Sequence, residues 1–208
     1  MKFVMLVEGQ TERDSAAAFL KRWLDPQLTR PVGIQTVPFD GYADLVRKMA
    51  TKAKMHLEGP NRNDIIAVIG MLDLYGPAFY PPDKITVEDR IAWGTDHFER
   101  DVGLDNFRLF FAVHEFEAWL LSQPEIFPHD IKSALANRVA QPELVNFNKP
   151  PAKLLDRIYK QVTKRSYKKT TYGKQLFARL DPAVAISKCP NLKTMVDEML
   201  ALAKAAGL

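Results

Sequence analysis

The chain has 208 residues, of which 47% are hydrophobic and 26% charged, enough for one globular domain with a small appendage; disordered, collagen-like and coiled-coil classes are excluded. Its single cysteine, Cys189, excludes an internal disulfide and a cysteine-rich zinc site. The net charge of +4 is a mild basic lean. No run approaches the roughly 20 apolar residues of a membrane span, and the apolar start is broken at Glu8, too early for a signal peptide, so a cytoplasmic address with no membrane contact is expected.

In chain order, residues 2–7 read as a short buried strand that ends at Glu8-Gly9. A helix follows, with Thr11 as its expected cap and Ala16, Phe19, Leu20 and Leu24 on its apolar face, stopped by Asp25-Pro26. Residues 32–39 alternate as a second strand, and 42–56 form an amphipathic helix around Leu45, Met49 and Ala53. The unbroken apolar run 65–72 is typical of a central parallel strand covered on both faces. Residues 75–83, with three prolines and a glycine, must be loop; a helix over 87–101, a fourth strand over 107–113 and a helix from 115 to 122 follow. The pattern predicts an α/β fold with a mostly parallel four-stranded sheet over residues 1–124. Helices over 131–138, 153–162 and 192–206 then form a helical extension, 125–208, packed on that sheet.

Ligands of open parallel sheets bind beyond the carboxyl ends of the strands, and three predicted strands end in acids there. Glu8 closes the first, with Glu12 one helical turn on; Asp73 closes the third; Glu115 and Glu117 follow the fourth. Each alone reads as a helix-start or loop acid. Together they repel unless protonated or bridged by a cation, and oxygen-only ligation suits Mg²⁺ or Mn²⁺. In the last third, Lys149, Lys153, Arg157, Lys160, Lys164, Arg165, Lys168, Lys169 and Lys174 lie close together with only Asp156 to offset them. That cluster is either a phosphate-binding patch or a solvated face. His114-Glu115 lacks the partners of a zincin or a zinc deaminase, and Tyr167 and Tyr172 either stack on bases or pack helices.

The segment VEGQTE at 7–12 resembles the first motif of Toprim domains, in which a glutamate follows strand one and precedes a glycine. With MLDLYG at 71–76, VHEFEAWLL at 113–121 and YKKTTYGK at 167–174, nearly the whole chain is similar to a bacterial Toprim-like family, the RloG-type proteins, related in fold to the Toprim domains of OLD-family nucleases. The resemblance implies a Toprim-like fold and a Mg²⁺-dependent nuclease or related phosphodiester-processing enzyme. It implies Glu8, Asp73 and Glu12 as catalytic acids, Glu8, Asp73, Glu115 and Glu117 as metal ligands, and DNA or RNA as partner. Lys168, Lys169 and Lys174 would hold backbone phosphates. A defence setting beside an ATPase also rests on the resemblance, and a homo-oligomer is open. The second aspartate of the usual Asp-x-Asp motif is here Tyr75, which leaves a second metal, and cleavage itself, in question; Asp83 or the 115–117 pair is the available compensation. A weakened Toprim module that binds nucleic acid or an ATPase without cutting, or a purely structural protein with solvated acids, are the alternatives.

Overall fold

The computed structural model describes residues 1–135, 140–144 and 150–208, with nothing said of the side chains of Gln10 and Thr11. Four strands, β1 (Lys2–Val7), β2 (Gly33–Pro38), β3 (Ile65–Asp73) and β4 (Phe107–Ala112), form one sheet in the order β2-β1-β3-β4. Every neighbouring pair is parallel. This is the α/β architecture with a parallel four-stranded sheet expected from the sequence. Among the described residues no helix is long and apolar enough to cross a membrane.

The alternation of side chains along β1 sorts the core into two layers. Phe3, Met5 and Val7 face α1 (Gln10–Leu24), while Val4 and Leu6 face α2 (Gly41–Leu57) and α3 (Val87–Val102). α1 and α2 therefore lie on opposite faces. The chain leaves β1 towards β2 on one side and enters β3 on the other, so the strand order reverses between β1 and β3. That switch point opens a crevice at the carboxyl ends of these two strands.

β4 is followed by a one-turn α4 (Ala118–Leu121), shorter than the helix expected over 115–122, because the preceding residues take up turns that aim Glu115 and Glu117. The C-terminal part builds α5 (His129–Leu135), α6 (Pro151–Thr163), α7 (Lys174–Arg179), α8 (Pro182–Lys188) and α9 (Pro190–Ala205). The expected helix over 131–138 is seen to Leu135; Arg138 lies outside the described residues, as does Lys149 of the basic cluster. These helices do not form a separate core. Their Leu155, Phe177, Ile186 and Met199 are buried in the same cluster as Phe3 and Phe19. Phe177 stacks on Phe116 with centroids 4.1 Å apart, and Arg22 of α1 donates to the carbonyl oxygens of Phe177 (2.7 Å) and Ala178 (3.0 Å).

Candidate metal centre

α1 begins directly after Gly9, which is its N-cap, and no side-chain cap is made. The Thr11 cap expected from sequence is thus corrected: the cap is two residues earlier, at Gly9, the helix starts at Gln10, and Thr11 falls inside its first turn. This early start places Glu12 in the first turn, buried to 8% exposure beside Glu8. Beyond β4, His114 takes a left-handed conformation (φ 64°), which is rare for a non-glycine residue and redirects the chain so that Glu115 and Glu117 turn back to the strand ends.

A relay of short hydrogen bonds ties the three strand ends together. Glu8 Oε1 accepts from the Asp73 N–H at 2.7 Å, and Asp73 Oδ1 accepts from the Phe116 N–H at 2.9 Å. Glu115 Oε2 accepts from the Ala152 N–H at 2.7 Å, so this acid also caps the N-terminus of α6. Glu117 is fully buried, and its Oε2 lies 2.9 Å from Lys169 Nζ, which is also 3.9 Å from Glu115 Oε1. The Glu117 Oε1 atom has no hydrogen-bond partner among the described residues. Lys169 arrives on a π-helical turn, Lys169–Gly173, a geometry frequent at functional sites.

Electrostatically the acids are frustrated. Burial, with Glu12 and Glu115 nearby, pushes the Glu8 carboxyl up to about 7 against the Asp73 N–H bond and Lys169 that favour its charge. Burial and Glu8 hold Asp73 well above the usual carboxylate range. Burial likewise raises Glu117 to about 7, with Lys169 opposing. Burial alone would depress Lys169, but Glu117, Asp73 and Glu115 outweigh it and its pKa is raised. The cluster opens on a cleft of about 710 Å³ lined by Glu8, Glu12, Asp73 and Lys169, and on its far wall by Asp40 and Asp44.

The structure therefore brings Glu8, Glu12, Asp73, Glu115 and Glu117 to one end of the sheet. It does not do the same for the expected lysines. Lys169 is spent on the acids; exposed Lys174 leans towards Asp14 at 3.9 Å; Lys168 is exposed, outside the lining of the cleft. Asp83 is outside the lining of the cleft and pairs with Lys84 at 2.8 Å. Tyr167 and Tyr172 pack against Tyr159, with centroids 5.4 and 5.2 Å away, and are core rather than a base-stacking platform. Sequence reasoning passed over three neighbours: Asp40 at the N-cap of α2, Asp44 in its first turn, and Tyr80. The Tyr80 hydroxyl is buried without a hydrogen-bond partner, and the phenol's pKa is raised by burial, with Glu8 and Asp73 adding to the shift and Arg90 opposing it. Acids that follow an edge strand are the only hint of the first two.

A family model described as "Domain of unknown function (DUF4276)" matches residues 7–200. Among solved structures the chain is similar to the C-terminal region of the Burkholderia pseudomallei OLD protein, at 16% identity and a TM-score of 0.49, over 99% of this chain and 98% of that one. It is also similar to the C-terminal region of the Xanthomonas campestris pv. campestris OLD protein, at 16% identity and a TM-score of 0.41, over 95% of each chain. No curated protein matches. The family match starts at the last residue of β1 and ends within α9, so it spans every acid of the site and Lys169: the chain belongs to the DUF4276 family.

Proposed function

We propose that this chain is a divalent-metal-dependent domain that processes phosphodiesters of nucleic acid, with Mg²⁺ or Mn²⁺ held among Glu8, Glu12, Asp73, Glu115 and Glu117. The observation that carries the reading is the convergence of five carboxylates on the switch-point crevice, three of them with pKa values raised by burial and mutual repulsion. The donor set fits a hard cation: it is oxygen-only, it is short of positive charge, and it contains an orphaned buried oxygen on Glu117. Among the described residues no three acids, histidines or cysteines are gathered tightly enough to cage an ion as they stand, so an ion has to draw these side chains together. When bound, such an ion supplies Lewis-acid stabilisation of a phosphoryl oxygen and acidifies a water.

The chain's own groups supply the rest. In the metal-free protein Glu8 is raised to about 7; a bound cation would favour its charged form and hold it as a ligand. The Asp73 N–H fixes the orientation of Glu8, and the Phe116 N–H fixes that of Asp73. Lys169 neutralises Glu117 and faces an anion entering the cleft. The second reading, a module that binds without cutting, is favoured by one observation: Lys169 already balances much of the acid charge, while Tyr75 adds no further carboxylate. A defence role and a partner ATPase belong to this proposal on the strength of the motif resemblance alone.

The test is thermal unfolding with Mn²⁺, paired with cleavage of labelled DNA and RNA. An ion at about a hundred times its Kd stabilises by about 2.7 kcal/mol, a rise of roughly 5–11 °C for a chain of this size. Asp73→Asn keeps the acceptor for the Phe116 N–H, so the metal-free variant stays folded and loses the rise. An equal rise in the variant places the ion elsewhere. Metal-dependent stabilisation without any cleavage selects the binding module.

A further inference from the structure

We propose that Lys153, held at the hydroxyl edge of Tyr75, is the contact that binds a backbone phosphate beside the acid cluster. The inference rests on the phosphodiester reading above and assigns its anion subsite to residues outside the acid cluster.

A cleft walled by carboxylates repels a polyanion, so the substrate needs a cation whose charge is not already spent. Most lysines near the site are committed: Lys169 to Glu117 and Glu115, Lys174 towards Asp14, and Lys160 to Asp156 at 2.6 Å. Lys153 differs. Its ammonium lies 3.3 Å from the Tyr75 hydroxyl and 5.5 Å from the centre of the Tyr75 ring. Both contacts are to a neutral group, so the lysine is held in place without losing its charge. It is exposed and free to receive a ligand.

Its position follows from the backbone. The β3–β4 ladder continues past the strand ends, with Leu74 N–H donating to Ala112 O (2.9 Å) and Tyr75 N–H to His114 O (2.8 Å). Leu72 and Leu74 enter the layer of α2 and α3, which leaves Asp73 on the opposite face, and the contact with Lys153 of α6 brings Tyr75 to the same side. That face carries Met71 and the C-terminal helices. Lys153 stands in the first turn of α6, next to Ala152, whose N–H is bonded to Glu115. Through Tyr75, two residues after Asp73, and through Ala152, bonded to Glu115, Lys153 is joined to two of the acid-bearing segments, in the first turn of a 13-residue helix. An ammonium with three donors beside a phenol hydroxyl recognises a tetrahedral oxyanion such as a phosphodiester. Tyr75 is then a positioning residue, acting through Lys153.

The experiment is fluorescence anisotropy with fluorescein-labelled single-stranded DNA and RNA of one sequence, in Ca²⁺ to suppress turnover. Lys153→Met weakens binding about tenfold, the loss expected for a charge-assisted contact. It also lowers the slope of log Kd against log salt by about 0.7 on a single strand. Lys153→Arg restores both, and Tyr75→Leu loses part of the affinity with the slope unchanged. Lys204→Met, an exposed lysine in the last turn of α9, is the control for general charge loss. The two strands separate DNA from RNA as the source of the phosphate. A Lys153→Met protein with wild-type affinity and slope overturns the subsite. A wild type that binds neither strand, while Mn²⁺ still raises its melting temperature, overturns the subsite and leaves the metal centre standing. Lys153-dependent binding with no metal stabilisation supports the subsite and removes the metal centre.

Discussion

The raised carboxyls make the metal-free protein less stable as pH rises through neutrality, against the trend of proteins whose acids are salt-bridged. Glu8 and Glu117 each move from 4.5 unfolded to about 7 folded. Between those values the folded chain binds more protons than the unfolded one, so the stability slope is negative. The contribution is fully present below 4.5 and lost as pH passes about 7. At about 1.4 kcal/mol per pH unit each acid accounts for about 3 kcal/mol, or roughly 6–12 °C in melting temperature for a chain this long. The depressed acids Asp14, Asp44, Asp83, Glu125 and Asp156 have the opposite sign, but their window lies below the ordinary carboxylate range. His56 and His114, lowered by burial, oppose the fall only near the ordinary histidine value. The assay is denaturant unfolding in EDTA from pH 5 to pH 8, on wild type and on Glu117→Gln. Wild type loses stability across the range; the variant loses less, because Glu8 and Asp73 still carry raised values. Added Mn²⁺ flattens or reverses the slope. A metal-free wild type that gains stability from pH 5 to pH 8, or a variant with an unaltered slope, refutes the assignment of the buried charge.

Two further outcomes follow from packing. A Cβ at Gly94 of α3 falls 2.6 Å from Phe111 Cζ and 3.0 Å from Cε2, on a core ring with no room to retreat. Gly94→Ala therefore destabilises by about 1–2 kcal/mol in denaturant unfolding, even though alanine gains about 1 kcal/mol of helix propensity; a stabilised variant contradicts the packing. Buried Glu143 accepts from the Asn191 N–H and Nδ2 (2.9 and 3.0 Å) and from the Leu192 N–H (3.3 Å), closing the N-terminus of α9. Glu143→Ala leaves those donors unpaired at a cost of about 1–3 kcal/mol, read as faster hydrogen exchange at Asn191 and Leu192; unchanged exchange there contradicts the cap.

The sheet was legible because strands buried on both faces write themselves as apolar runs: residues 65–72 could hardly be anything else, and Glu8 and Asp73 stood out as the first charges after such runs. The helices α7 and α8 were missed because six or seven residues carry too little periodicity to separate from loop. Lys169 was misread for a deeper reason. In sequence it is one lysine among many, and only the fold of the tail carries it beneath the acids while leaving Lys168 in solvent. The double duty of Glu115, acid of the site and cap of α6, joins residues 37 positions apart and has no local signature.

The cation that balances the buried acids comes from a later stretch of the chain than any of the acids themselves. Until Lys169 has been made and its π-turn has docked, Glu117 has no counter-charge, and the face bearing Phe3 and Met5 has no cover from α7 and α9. The centre is therefore a product of completed folding and not a property of the sheet. A chain cut after residue 124 keeps every acid, yet it has to hold them protonated or exposed.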